Sequence, residues 1–146
     1  MWGHAMWKFA ATLLLLLPIS LRAEVVGVGE AGEFKTYVDT SKVEDIRYPI
    51  PEPPGVRPAN APPSTMVYKQ TWASAYDGNN VLVGQYLWVF DCRGRAAQLA
   101  VVDARDPKND YDLTAQALRL GVTSVLKAIP PISYFKFTEP VVCKMH

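Results

Sequence analysis

The sequence predicts an α+β domain, mainly β, built as a single antiparallel sheet of about five to six strands with a short C-terminal helix. Three observations carry that class. Apolar and polar residues alternate with the period of a strand in several separate stretches. Turn residues, Asp77-Gly78-Asn79-Asn80 and Arg93-Gly94-Arg95, separate the strongest of these stretches by only a few positions, which is hairpin spacing. Pro130 and Pro131 open a last segment that Pro140 interrupts, and proline at a first turn suits a short helix.

The chain opens with Lys8, an apolar run from Phe9 to Leu17, Pro18, and then Ser20-Leu21-Arg22-Ala23. This three-part layout reads as a secretory signal peptide over residues 1–23, with the small Ala23 before the cut. Its apolar core is shorter than the about 20 residues a bilayer span needs, and a retained helical anchor is the competing reading. No cysteine lies near the cut, so the exported protein is expected not to be lipid-anchored and to have no transmembrane helix in its mature chain.

Residues 24–33 follow as an expected flexible leader, "EVVGVGEAGE". Gly27, Gly29 and Gly32 spell G-x-G-x-x-G, but a dinucleotide turn needs a buried strand before the first glycine and a helix after the third. Only Glu24, Val25 and Val26 precede Gly27, and the residues from Glu33 to Asp39 alternate as a strand. The nucleotide reading therefore lacks its context on both sides.

One domain is expected over residues 34–146. Thr40-Ser41-Lys42 reads as a turn, and Val43 to Tyr48 as a second short strand. Seven prolines between Pro49 and Pro63 then deny the chain amide donors, so residues 49–63 form a solvated loop. A proline-rich ligand for an aromatic groove is the functional alternative. Residues 66–76, "MVYKQTWASAY", place Val67, Lys69, Thr71 and Ala73 on one face and Tyr68, Gln70, Trp72 and Ser74 on the other. Residues 81–92, "VLVGQYLWVFDC", pair with them as a hairpin, and Ala96 to Ala104 adds a third meander strand. Between Leu113 and Ile129 the signals conflict. A short helical or irregular piece after Asp112 is expected to give way to a strand near 122–128.

Charge and residue counts narrow the function. Without Lys8 and Arg22, 13 of the 15 basic residues remain against 14 acidic ones, so no bulk field draws the mature chain to nucleic acid. His4 leaves with the leader and His146 is the last residue, which removes the held imidazole that nucleophile triads and most exported zinc enzymes use. Asp103, Asp106, Asp110 and Asp112 surround Pro107 and Asn109 as a solvated turn, with calcium binding as the alternative. The expectation is therefore no enzyme, no metal and no cofactor. Cys92 and Cys143 are an even pair in a chain bound for an oxidising compartment, and joining them closes a loop of about 50 residues. Two reduced, buried thiols are the rival state.

An aromatic strand ending in "YVD" before Ser41, a strand ending in "FDCRGR", and a closing proline, serine and "VVC" resemble the surface-adhesin protein E family of Gram-negative bacteria. These blocks are spread between residues 34 and 143. The resemblance implies an antiparallel sheet of about six strands, with a short C-terminal helix against one face. It also implies that Cys92, on a central strand, tethers that helix through Cys143. Family members named for adhesion bind host matrix and plasma proteins such as vitronectin and laminin. The proline-rich segment is longer than the usual crossover of that fold.

The function expected is thus a non-catalytic binding module of the cell envelope, adhesin-like, in the periplasm or on the outer surface. A periplasmic structural or assembly protein without a host ligand is the alternative. Arg93, Arg95 and Arg105, read as clustered beside Cys92, are the candidate partner-binding residues, against their role as plain solvated charges. Tyr68, Trp72, Tyr76, Tyr86, Trp88 and Phe90 could present an aromatic face, although in a sheet this small such a face is more often the core beneath a helix. An open sheet edge leaves a homodimer available.

Overall fold

The structure is a computed structural model that describes residues 25–31 and 34–144; the expected signal peptide over 1–23 and His146 lie outside them. Strands run over Val25–Ala31 (β1), Phe34–Asp39 (β2), Glu44–Pro49 (β3), Thr65–Tyr76 (β4), Leu82–Phe90 (β5) and Arg95–Asp103 (β6). Two-residue strands follow at Tyr111–Asp112 (β7) and Lys127–Ala128 (β8), with helices at Thr114–Leu120 (α1) and Tyr134–Cys143 (α2). All pairings are antiparallel, and the six long strands are those the alternation predicts, plus β1. The sheet order is β1-β2-β4-β5-β6-β7, with β3 also on β4 and β8 also on β6.

The twelve residues of β4 organise the sheet. One edge pairs with β5 over its C-terminal part, from Lys69↔Phe90 to Tyr76↔Leu82. The other edge is shared by β2, which ends at Val38↔Ala73, and β3, which starts at Glu44↔Gln70. A 3-10 turn at Thr40–Lys42 separates them, capped by the Asp39 carboxylate, which accepts from the Ser41 amide at 3.0 Å. β2 and β3 are therefore one strand, interrupted once.

Because the side-chain period of a strand is two, β4, β5 and β6 each feed two cores. On one face Tyr48, Tyr68, Leu87, Val89 and Leu99 pack beneath Ala117 of α1 and the turn carrying Val122 and Leu126. On the other, Val38, Ala73, Trp88 and Phe90 pack beneath Val142 of α2. The Leu87↔Ala100 and Trp88↔Gln98 pairs leave Leu99 as a bulge, which lets Leu99 and Ala100 join the same core. Full burial of a side chain such as Phe90 or Val142 stabilises by about 1.5–3 kcal/mol, so each helix is held mainly by what it covers. Within the first core the Tyr48 hydroxyl donates to Gln70 Oε1, and Gln70 Nε2 donates to Glu44 Oε1 at 3.1 Å. Burial, aided by the Glu44 and Asp112 charges, pushes the Tyr48 phenol up to about 12, so it stays a donor.

Cys92 and Cys143 are joined, which ties the end of α2 to the turn between β5 and β6. The structure thus shows the oxidised pair rather than two thiols. The helix starts later than the prolines suggest, because Ser133 takes the cap and its hydroxyl accepts from the Lys136 amide. It also continues through Pro140 to Cys143 rather than ending there. Burial of Val142 and the bond at Cys143 hold that last turn in place.

Two further expectations are corrected. Residues 25–31, read as leader, form β1 on the free edge of β2, with Val26↔Val38 and Ala31↔Phe34. Glycine content hides such a strand from pattern reading, and Gly27 lies opposite Tyr37 in the pairing. Residues 122–126 are a turn and not a strand, with the Val125 and Leu126 amides both bonded to the Val122 carbonyl. Core burial of Val122 and Leu126 outweighs their strand preference there, and only β8 pairs, through Arg95↔Ala128.

Residues 50–64 form the expected proline-rich loop, Pro49 being the last residue of β3. It is closed at its base by the Ile50 amide on the Ser64 carbonyl at 2.8 Å, and Arg57 spans it from Glu52 to the Pro62 carbonyl.

Candidate functional site

The second face of the sheet carries an aromatic array that the alternation of β5 dictates. Tyr86 and Trp88 lie stacked with ring centroids 6.2 Å apart, and Trp88 stacks in turn on Tyr134 of α2 at 6.4 Å. Phe135 closes on Trp88 at 5.0 Å and on Phe90 at 6.0 Å. Tyr86, Trp88 and Phe90 are thus helix-covered, as is Tyr68 by α1, whereas Trp72 stays 38% exposed on the other face beside the Tyr37–Tyr76 pair. The indole of Trp88 donates to Gln98 Oε1 at 2.9 Å, and Gln98 Nε2 donates to the Tyr111 hydroxyl at 3.1 Å. These bonds fix the amide and the indole plane together.

Between this array and β2 a cleft of about 240 Å³ remains, lined by Phe34, Thr36, Val83, Tyr86, Trp88, Gln98, Arg105 and Tyr134. Its polar groups are unusual. Thr36 is 2% exposed, and its Oγ1 has no hydrogen-bond partner among the described residues. The Tyr134 hydroxyl oxygen is buried and equally unpartnered. Leaving such a group unpaired costs about 1–3 kcal/mol, so two beside one cleft are a strain the fold does not relieve by itself. Burial, with the Asp103 charge second, raises the Tyr86 phenol and keeps it neutral.

Arg105 stands at the mouth of the cleft, its guanidinium 5.6 Å from the Phe34 ring centroid. It forms no ion pair among the described residues. The nearby Asp103 carboxylate is engaged elsewhere, by the Asn109 side chain at 3.0 Å and by the amides of Arg105 and Asp106. Those bonds, the Asn109 contact foremost, hold its carboxyl below the ordinary value.

The three candidate arginines do not form one cluster. Arg93 and Arg95 flank the turn after Cys92, while Arg105 follows the far end of β6, about 30 Å away at strand rise. Consecutive placement in a strand separates residues rather than gathering them. Arg95 is structural, with its Nε donating to Asp91 Oδ2 at 2.8 Å. The Asp91 side chain, 1% exposed, also accepts from the Arg93 and Arg95 amides. Burial works to raise the Asp91 carboxyl, but the Arg93 amide and the Arg95 guanidinium outweigh it and hold it below the usual range.

The aspartate cluster is local backbone capping. Asp106 accepts from the Lys108 amide, Asp110 from the Asp103 amide and Asp112 from the Thr114 amide. No group of three His, Cys, Asp or Glu among the described residues is placed to hold a metal.

A second hollow of about 300 Å³ adjoins the cleft, sharing Trp88, Gln98 and Tyr134 and adding Ile132, Phe135 and Phe137. Ile132 is 91% exposed and Phe137 54%. Sequence reasoning singled out neither these two nor Thr36, Phe34 and Tyr134. The alternation in β2 does put Phe34, Thr36 and Val38 on one face, but nothing local shows that a hydroxyl there lacks a partner. Compared with family models, curated proteins and solved structures, the chain matches none. Among the described residues no helix is long and apolar enough to cross a membrane.

Proposed function

We propose that this is an exported, non-catalytic binding module that engages a protein partner through the apolar surface around α2. One observation supports this above the others: Ile132 and Phe137 project into solvent beside an aromatic hollow, an arrangement that a monomer gains nothing by exposing. The leader layout and the joined cysteines support export. The adhesin-like reading, with host matrix or plasma proteins as partners, rests on the resemblance of the "YVD", "FDCRGR" and "VVC" blocks. A periplasmic envelope role is the alternative, and it uses the same surface on a different partner.

Protease accessibility on intact producing cells separates the two, with a periplasmic protein as control. The adhesin reading expects digestion of the folded chain outside the cell and binding to immobilised vitronectin or laminin. It also expects the paired change Ile132→Ser and Phe137→Ser to weaken that binding about tenfold or more without lowering Tm, since neither side chain is buried. Protection of the chain until the outer membrane is opened, with no binding to either protein, rejects the adhesin reading in favour of the periplasmic one.

A further inference from the structure

We propose that the cleft between β2, β5 and α2 is a binding site for a small flat carboxylate, an acid of one or two rings held with its anionic group at Arg105. The inference is independent of any protein partner. Four observations converge on that chemistry. The lining is rich in aromatic rings, Tyr86 and Trp88 stacked at 6.2 Å with Tyr134 beyond them, which suits a planar apolar body. The volume, about 240 Å³, lies under the roughly 300–1,000 Å³ of drug-sized sites and so limits the ligand to one or two rings.

The polar groups define the rest of the ligand. Thr36, buried within the cleft wall, offers an unused hydroxyl, and Tyr134 offers a second. A hydroxyl both donates and accepts, so each fits a ligand oxygen. Arg105 brings a guanidinium free of any ion pair among the described residues, and that planar fork matches a carboxylate in two parallel hydrogen bonds. The Asp103 carboxylate lies close enough to act on it through charge but makes no direct ion pair, its oxygens being taken by Asn109 and two backbone amides, so the guanidinium donors stay open. A cation and an aromatic slot thus border one space, with two unpartnered hydroxyls buried in its wall.

The test is calorimetric titration of the oxidised mature chain with phenylacetate and indole-3-acetate, each against its uncharged amide. Saturable one-to-one binding of an acid is expected, with the matching amide weaker by about tenfold or more, the ratio a charge-assisted hydrogen bond supplies. Arg105→Gln is expected to bring acid and amide to within about twofold of each other. Thr36→Val keeps the shape of the side chain and removes only the unpartnered hydroxyl. It is expected to weaken acid binding while leaving Tm unchanged or higher, a combination that a structural hydroxyl would not produce. Absence of binding by both acids at millimolar concentration overturns the proposal, as does binding that neither variant alters.

Discussion

Cys92, which stands at a φ of 59° in the turn between β5 and β6, is bonded to Cys143, the last residue of α2. The left-handed backbone there is held by Asp91, whose carboxylate accepts the amides of Arg93 and Arg95 on either side of Gly94. Gly94 in turn donates its amide to Glu139 of α2 at 3.1 Å. The turn is therefore both the anchor of the disulfide and the platform on which the helix end rests.

Removing the bond tests how much the helix depends on it. The cysteines are 51 positions apart, for which chain entropy assigns roughly 4 kcal/mol. Cys92→Ser with Cys143→Ser is expected to lower Tm by roughly 15 °C and to shift the emission of Trp88 to the red as α2 loosens over it. A Tm within about 3 °C of the parent would show that burial of Val142 and Phe135 alone secures the helix.

Asp91 makes the stability of this turn pH-dependent. Its folded pKa is depressed, so its stabilising contribution is complete above the unfolded carboxylate value of about 3.9 and is lost as pH falls through the folded value. Asp91→Asn, which keeps the size and removes the charge, is expected to cost about 2 kcal/mol at neutral pH. The gap between parent and variant in denaturant unfolding should narrow below about pH 4. A gap that is constant from neutral pH to about pH 2.5 would contradict this.

Gly121 joins α1 to the base of the proline-rich loop. Its φ is 84° with ψ near −179°, a region open in practice to glycine only, and an added Cβ would run into the carbonyl oxygen of Pro49. Gly121→Ala is expected to destabilise by about 3 kcal/mol or more, through backbone strain and separation of the loop from the helix. A loss under about 0.5 kcal/mol in denaturant unfolding would show that the contact yields freely.

The hairpin of β4 and β5, the meander into β6, the proline-rich loop and the Cys92–Cys143 pair were all legible in the sequence. Each follows from chemistry within a few residues or from counting: alternation along Met66–Tyr76, turn residues at Asp77–Asn80, prolines without amide donors, two cysteines and one partner each. Such signals are local, and a strand announces its own period whatever it later pairs with. The sequence therefore determined the kind of each long element from β2 to β6 and the covalent closure of the domain.

Tertiary structure alone decided the rest. Val25–Ala31 is a strand because β2 offers an open edge, and Val122 to Leu126 turns because the core below α1 buries both ends of that segment. Arg93 and Arg105 were parted by the rise of β6, which a list of near neighbours in sequence cannot display. The cleft arises where Phe34 and Thr36 of β2, Tyr86 and Trp88 of β5, Tyr134 of α2 and Arg105 meet, four stretches that share no local pattern. Whether a hydroxyl is buried and unpaired depends on what the rest of the chain brings beside it, and that information exists only once the chain has closed on itself.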